Sequence, residues 1–236
     1  KVNPSGSLVD TYCYDNYSAP AMWNFTPSTY EGYVEGGDVP AKSKSYMIYQ
    51  EGIYVGYKYF ETRYFDSVVN PSSNADSAKG STQGSTWNYN DEVIYPFGHT
   101  LSYLDYEQNV KSVTVDKTSE GNITAVIDVK NKSSQDGKFL AQLYVQQPYT
   151  DYDKANKVEK SAIMFLNSAK VDIPAGQTKE VTITVPTKYL ASYDYTNAKT
   201  YILDEGDYYF TAAAGSHEAV NNVLGAMGKT VADGMD

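Results

Sequence analysis

The sequence is poor in the side chains that bind zinc and form disulfides. Its 236 residues include one cysteine, Cys13, and two histidines, His99 and His217, which lie far apart in the chain. A single cysteine allows no internal disulfide, and the set contains no zinc-binding motif. The chain also lacks an apolar run of the ~18 residues that cross a bilayer. We therefore expect no metal site, no cofactor and no membrane insertion by this segment.

Basic side chains are scarce as well. The chain has 19 Lys and Arg against 29 Asp and Glu, which gives a formal net charge of −10. The excess is spread evenly, since residues 1–100 and residues 101–236 each carry five more acidic than basic side chains. Within a Debye length of ~8 Å such a surface repels a phosphate backbone. We therefore expect no nucleic-acid partner.

Tyrosine is the residue that the chain has in excess. Of the aromatic residues 24 are Tyr, against 7 Phe and 2 Trp. A tyrosine has an apolar ring and a polar end, so this composition is typical of half-exposed strands and of surfaces that pack against other surfaces. The length allows one large domain or two modest ones.

From Val110 onward the hydrophobic pattern has a period of two and is interrupted by turn signals at short intervals. This pattern is typical of a β-sandwich of the immunoglobulin or fibronectin type III kind. It predicts Leu140, Leu143, Val145, Ile183 and Phe210 among the buried side chains. The predicted strands are 110–116, 123–130, 139–145, 163–173, 178–185, 200–203 and 207–213.

The first hundred residues show no long stretch with a helical apolar period. We expect strands at 8–14 and 53–60, which are β-branched and aromatic, and a surface excursion at 71–90, which is rich in Ser, Asn, Gly and Asp. Two or three strands without a covering layer leave one face open to water. This part therefore resembles the end of a larger domain.

The last residues predict a short helix followed by a frayed tail. Ser216 is expected to cap a helix that runs over 216–225, and Gly225 is expected to end it. Residues 229–236 have little apolar content and are expected to be loose.

Three motifs, in this order, resemble the C-terminal half of glycoside hydrolase family 3, the β-glucosidase family. They are 3–9 (NPSGSLV), 51–60 (EGIYVGYKYF) and 95–103 (YPFGHTLSY). In that family the first motif ends an α/β sandwich domain, and the last leads into a fibronectin type III-like domain. Two departures from the family pattern are Ser7, where Arg or Lys is usual, and Thr100, where a second glycine is usual.

The resemblance implies a mainly β chain: a fibronectin type III-like β-sandwich preceded by the C-terminal remnant of an α/β sandwich domain. The implied parts are 1–100, with an insertion at 71–90, then the sandwich at 101–215, then a short helix and tail at 216–236. The family consists of retaining glycosidases, which use two carboxyl groups. Its nucleophile lies in a Ser-Asp-Trp motif that is absent here, and its acid/base glutamate precedes the first motif. The resemblance thus implies no catalytic residue in this chain, with the parent's catalytic domains as partners and a carbohydrate substrate bound through them.

Two sets of aromatic residues are candidates for binding surfaces. The first is favoured as an interdomain contact, and the second offers the larger rings that stack on sugars. The rival interpretations are a carbohydrate-binding sandwich module and a cell-surface spacer without a ligand. The interdomain candidates are Tyr54, Tyr57, Tyr59, Phe60, Phe97 and Tyr103, and the sugar-stacking candidates are Trp23 and Trp87.

Overall fold

The computed structural model describes residues 3–4, 6–23, 25–37 and 44–236. Before residue 100 the elements are short, apart from one helix. Strand β1 pairs antiparallel with β4, and β2 pairs antiparallel with β3. The elements are β1 (Tyr12–Cys13), a 3₁₀ turn (Asn16–Ser18), α1 (Pro20–Trp23), β2 (Ser28–Thr29), β3 (Ser45–Tyr46), α2 (Tyr57–Val69), a 3₁₀ turn (Pro71–Ser73), α3 (Tyr89–Glu92) and β4 (Val93–Tyr95).

Helix α2 corrects the strand that is predicted at 53–60. Phe60, Tyr64 and Val68 repeat every four residues, so they lie on one face of a helix, and all are buried. β-Branched and aromatic content favours a strand, but burial of this face on the rest of the protein overrides that propensity. Pro71 follows the helix closely, as expected where a helix ends.

Two further expectations for this part are corrected. Of the strand predicted at 8–14, only Tyr12–Cys13 forms a strand. The excursion at 71–90 does bury apolar area, because Trp87 and Tyr89 are only 3% and 5% exposed. The polar residues around them bind buried charged groups of the neighbouring segments, which holds this stretch against the protein.

The β-sandwich consists of two three-stranded antiparallel sheets. Their strand orders are β5-β6-β9 and β12-β7-β8, and β10 and β11 form a separate pair. The longest helix within 110–213 has six residues. The elements are β5 (Tyr106–Val115), β6 (Asn122–Asn131), β7 (Gly137–Gln146), α4 (Asp151–Asn156), β8 (Met164–Ile173), β9 (Thr178–Pro186), a 3₁₀ turn (Thr187–Leu190), β10 (Ser192–Asp194), β11 (Thr200–Ile202) and β12 (Tyr209–Ala212).

The core between the two sheets follows the period-two pattern. Leu143, Val145 and Ile183 are buried there, as predicted. Phe210 is half-buried but packs against this core, on the face that the pattern predicts. Leu140 is half-buried and lies outside the core, which corrects the prediction for that residue. In β7 the core-facing positions are the odd-numbered ones from 139 to 145, so Leu140 lies on the opposite face.

Strand β7 is buried on both faces, because a second apolar cluster covers the outer face of its sheet. Tyr144, on that outer face, is fully buried against this cluster. The cluster takes Phe60 and Tyr64 from α2 and Val220 and Leu224 from the C-terminal helix α5 (Ser216–Ala226). The segment before residue 100 and the C-terminal helix are therefore packed on the sandwich.

The C-terminal segment differs from the expectation in three respects. Ser216 is the first residue of α5 and makes no capping bond; its hydroxyl instead donates to Glu61. The helix continues past Gly225 to Ala226. The tail is ordered, since Thr230 and Asp233 form a capping box around a 3₁₀ turn (Val231–Asp233), and Asp236 binds side chains of three other segments. Among the residues that the structure describes, no helix is long and apolar enough to span a bilayer.

Candidate interdomain interface

The start of α2 joins the linker, residues 96–105 between β4 and β5, to the sandwich. The ring of Tyr57 stacks on that of Phe97 with centroids 4.6 Å apart. The backbone N–H of Phe165 in β8 donates to the Tyr57 hydroxyl at 3.0 Å. Tyr54 reaches further along the sandwich and donates to the carbonyl of Lys160 at 3.3 Å. Burial raises the pKa of Tyr54 to about 12 and also raises that of Tyr57.

The other three interdomain candidates lie in different surroundings. Phe60 is in the core, with the ring of Tyr59 packed edge-on at 5.0 Å. Tyr59 is half-buried, and its hydroxyl accepts from Arg63 at 2.8 Å. Tyr103 is 77% exposed. The structure thus buries Phe60, packs the half-buried Tyr57 and Phe97 against the sandwich, and leaves Tyr103 on the surface.

A large apolar surface is exposed on the N-terminal part of the chain. It includes four consecutive side chains, Tyr46–Tyr49, which are 36–79% exposed, and continues through Ile53 and Val55. A second stretch, in β4 and the linker, exposes Ile94, Tyr95, Leu101 and Tyr103. Soluble monomers rarely expose large contiguous apolar patches, and such patches mark interaction surfaces. We call these two stretches together the aromatic face.

Trp23 and Trp87 differ in their access to solvent. Trp23, at the end of α1, is 58% exposed. Trp87 is 3% exposed, and the guanidinium of Arg63 lies 4.6 Å from its ring centroid. A buried ring that a guanidinium covers offers no face to a sugar, so only Trp23 has the access that sugar stacking needs.

A buried charge network joins α2, α5 and the tail, and no motif in the sequence indicates it. Glu61 is fully buried and accepts hydrogen bonds from the hydroxyls of Tyr89 and Ser216 at 2.7 and 2.8 Å. His217 lies between two carboxylates, with Nδ1 2.9 Å from Glu61 and Nε2 2.9 Å from Asp236. Its ring stacks on Tyr89 with centroids 3.8 Å apart.

Burial and the two carboxylates act on the pKa of His217 in opposite directions. Desolvation lowers it, but the hydrogen bonds and charges of Asp236 and Glu61 outweigh burial and raise the pKa to about 9. The pKa of the Asp236 carboxyl is well below its usual range, because bonds from His217, Tyr64 and Asn90 stabilise the ionised form against the effect of desolvation. His217 is therefore an imidazolium at neutral pH.

A second cationic bridge joins the segment after α4 to the loop before β12. Lys160 is buried, and its ammonium bonds to the carboxylates of Asp153 and Asp204 and to the carbonyl of Pro148. In both networks a cation lies between two carboxylates. Each cation contacts carboxylates from two different segments, so both networks hold segments together. In the described part of the chain no group of His, Cys, Asp and Glu is arranged to hold a metal ion.

The comparisons with known proteins agree with this architecture. Residues 140–216 match the model of the fibronectin type III-like domain. The chain is 27% identical to thermostable β-glucosidase B of Acetivibrio thermocellus, covering 93% of this chain and 23% of the relative. It is 30% identical to β-glucosidase A of Butyrivibrio fibrisolvens, covering 89% and 22%.

The chain matches the C-terminal portion of glycoside hydrolase family 3. The solved β-glucosidase of Paenibacillus barengoltzii aligns with it at a TM-score of 0.64 and 26% identity, over 91% of this chain and 19% of that one. β-Glucosidase 3B of Thermotoga neapolitana aligns at 0.59 and 25%, over 91% and 23%. The resemblance seen in the motifs and the predicted sandwich are thus both confirmed. The chain spans about a fifth of the length of the relatives named here.

Proposed function

We propose that this chain is the non-catalytic C-terminal part of a family 3 glycosidase of the β-glucosidase type, which would hydrolyse terminal β-linked sugars with retention of configuration. Its role is to brace the catalytic domains of that enzyme, and the carbohydrate substrate is bound through those domains. The observation that carries the proposal is the aromatic face, which is exposed in a chain about a fifth as long as its β-glucosidase relatives.

The aromatic face supports a bracing role because the segments that carry it are attached to the sandwich. Tyr54 attaches the segment before α2 to the sandwich, Tyr57 attaches the start of α2, and the buried Glu61 attaches α2 to α5. The apolar side chains of 46–55 and 94–103 are therefore presented on a surface that moves with the sandwich. Interfaces between domains of one chain bury roughly 600–1,500 Å², and the ten large apolar side chains that the two stretches expose suit that size.

The proposed parts are 1–100, 101–215 and 216–236. The two outer parts pack on each other through α2 and α5 and share the second apolar cluster. This cluster would therefore connect the aromatic face to the sandwich in the whole enzyme.

The test separates the chain from the rest of the enzyme. Residues 1–236 alone are expected to leave an aryl β-glucoside unhydrolysed. Mixed with the remainder of the enzyme, expressed separately, they are expected to restore activity. Ile48→Asp with Tyr49→Asp should abolish this restoration, because two charges would be buried at the interface.

The matched control is Tyr201→Asp, since Tyr201 is 70% exposed on β11, away from the aromatic face. It should restore activity as well as the unaltered chain. Hydrolysis by the chain alone that disappears when one of its own carboxylates is changed would refute the proposal, and so would full restoration by the Ile48 and Tyr49 variant.

A further inference from the structure

A preformed pocket with aromatic walls lies beside α1, apart from the aromatic face. Its volume is about 510 Å³, within the range of small-molecule sites. It is lined by Ser18, Pro20, Trp23, Tyr59, Lys79 and Gly80.

Trp23 is held in a fixed orientation although it is exposed. Its indole N–H donates to the carbonyl of Tyr17 at 2.7 Å, and the ring of Tyr17 packs edge-on with centroids 5.5 Å apart. With the N–H already bonded and 58% of the side chain exposed, a rigid apolar ring remains open to a ligand. A ring that is already ordered loses little entropy when a ligand binds to it.

The buried carboxylate of Glu92 holds Ser18, one of the residues that line the pocket. It accepts from the hydroxyl of Ser18, which lines the pocket, and from that of Ser81 at 3.1 Å. It also accepts from the backbone N–H and the hydroxyl of Thr82 at 2.8 and 2.7 Å. One buried group thus ties the turn before α1 to the segment that follows Gly80.

Arg63 holds two other lining residues, Tyr59 and Lys79. Its guanidinium donates to the hydroxyl of Tyr59 at 2.8 Å and to the carbonyl of Lys79 at 3.0 Å. Two more bonds, to the carbonyls of Ala75 and Ser77, hold the same loop. The lining residues Ser18, Tyr59 and Lys79 are therefore held in place by charged groups of the protein before any ligand binds.

The free polar groups at the pocket are donors. The Tyr59 oxygen accepts from Arg63, which leaves the phenol proton free to donate. Lys79 is exposed and has no ion-pair partner among the residues that the structure describes. In the same part of the chain no carboxylate lines the pocket, so it has no attraction for a cation, and the net charge of −10 opposes a polyanion.

We infer that this pocket binds the pyranose ring of a neutral oligosaccharide. The apolar face of the ring stacks on Trp23, and its hydroxyl oxygens accept hydrogen bonds from Tyr59 and Lys79. The pyranose class follows from the pocket, and the choice of β-linked glucose as the sugar rests on the proposed function.

The test is an NMR titration of the 236-residue chain with cellohexaose and, separately, with mannohexaose. The indole N–H signals of the two tryptophans are followed, and the signal of Trp23 is assigned from the spectrum of Trp23→Phe. The Trp23 signal should shift and saturate with a hexasaccharide while that of the buried Trp87 stays in place. Preference for cellohexaose supports glucose as the sugar, and binding of mannohexaose alone supports the pocket but overturns that choice.

Variants decide whether Trp23 carries the binding. Affinity of Trp23→Ala should fall at least about tenfold, and that of Lys79→Gln should fall with the fold unchanged. Tyr201→Ala, which removes a ring that is 70% exposed against 58% for Trp23, should bind as the unaltered chain does. The inference would be overturned if neither sugar gave a saturable shift. It would also be overturned if Trp23→Ala and Lys79→Gln both bound the sugar with the affinity of the unaltered chain.

Binding and hydrolysis, measured in the same samples, test this inference and the proposed function separately. Glucose release is measured at the end of each titration. Binding without release supports both, and release that depends on a carboxylate of this chain counts against the proposed function alone. Absence of binding counts against the pocket alone.

Discussion

The imidazole of His217 bridges α5 to the tail, with Nε2 2.9 Å from Oδ1 of Asp236. Asp236 also accepts from the Tyr64 hydroxyl at 2.6 Å and from the Asn90 amide at 2.7 Å, and its own backbone N–H donates to Tyr64 at 3.0 Å. A tail with little apolar content is therefore held by charge-assisted hydrogen bonds to three separate segments.

The first prediction concerns pH. Because the pKa of His217 rises from 6.5 to about 9 on folding, its contribution to stability is fully present below pH 6.5 and is lost as pH rises through 9. The pKa of Asp236 is lowered from 3.8, so its contribution is present above pH 3.8 and is lost only in strong acid. Urea unfolding at pH 6 and pH 9.5 should show a lower free energy of unfolding at the higher pH.

His217→Gln should remove most of that pH dependence and cost about 1–3 kcal/mol at pH 6. The other histidine provides the control: His99→Gln should keep the dependence, because His99 lies in the linker turn against Tyr95. An unchanged pH dependence in His217→Gln would contradict the assignment of the imidazolium.

The second prediction concerns the attachment of the first turn of α2 and the segment that leads into it. Changing Tyr57 and Tyr59 together to Ala should lower the melting temperature, because the stacking on Phe97 and the bond from the Phe165 N–H are both lost. Tyr57→Phe alone removes only the hydroxyl and should cost about 1 kcal/mol. A melting temperature equal to that of the unaltered chain in the double variant would mean that this segment is a free arm.

The third prediction compares two leucines of the same strand. Leu143 is fully buried between the sheets, while Leu140 lies on the other face and is half-buried. Leu143→Ala should cost about 2–5 kcal/mol in the free energy of unfolding, and Leu140→Ala should cost less. Equal costs in chemical denaturation would contradict the assignment of faces in β7.

The sandwich can be predicted from the sequence because most of its longer strands alternate apolar and polar residues between turn signals. The seven strands predicted after residue 110 correspond to observed strands, while the short strand Ser192–Asp194 is not among them. The prediction for Leu140 is wrong since β7 is apolar at both odd and even positions, so that alternation alone does not choose the core face. The burial of Tyr144 under α2 and α5 shows why both sets are apolar.

The parts that escape prediction depend on contacts between distant residues. The apolar spacing of Phe60, Tyr64 and Val68 is helical and could have identified α2, but the content of Tyr and Phe in this segment favours a strand. Nothing near Asp236 in the sequence indicates that it meets His217 and Tyr64. The pocket beside Trp23 depends on Glu92 and Arg63, each of which binds residues more than ten positions away.

The last prediction concerns Gly98, where the linker passes β7 and the start of α5. Its φ is +83°, and a Cβ there would lie 2.5 Å from Oε1 of Gln142 and 2.6 Å from the hydroxyl of Tyr144. The Gln142 amide also donates to the carbonyl of Gly98 at 3.1 Å. Gly98→Ala therefore adds a steric clash to the backbone strain of a positive φ, and it disturbs buried polar groups that bond to each other.

Gly176→Ala separates the two effects. Gly176 has a φ of +67°, but a Cβ added there would meet no atom of the described residues within 4 Å, so its substitution costs only the backbone strain, about 1–2 kcal/mol. Gly98→Ala should cost a further ~1–3 kcal/mol for overpacking, measured by urea unfolding of both variants. Equal losses of stability would mean that the linker can move away from β7 at no cost, and the close packing of Gly98 on Gln142 would then contribute nothing to the attachment of the two parts.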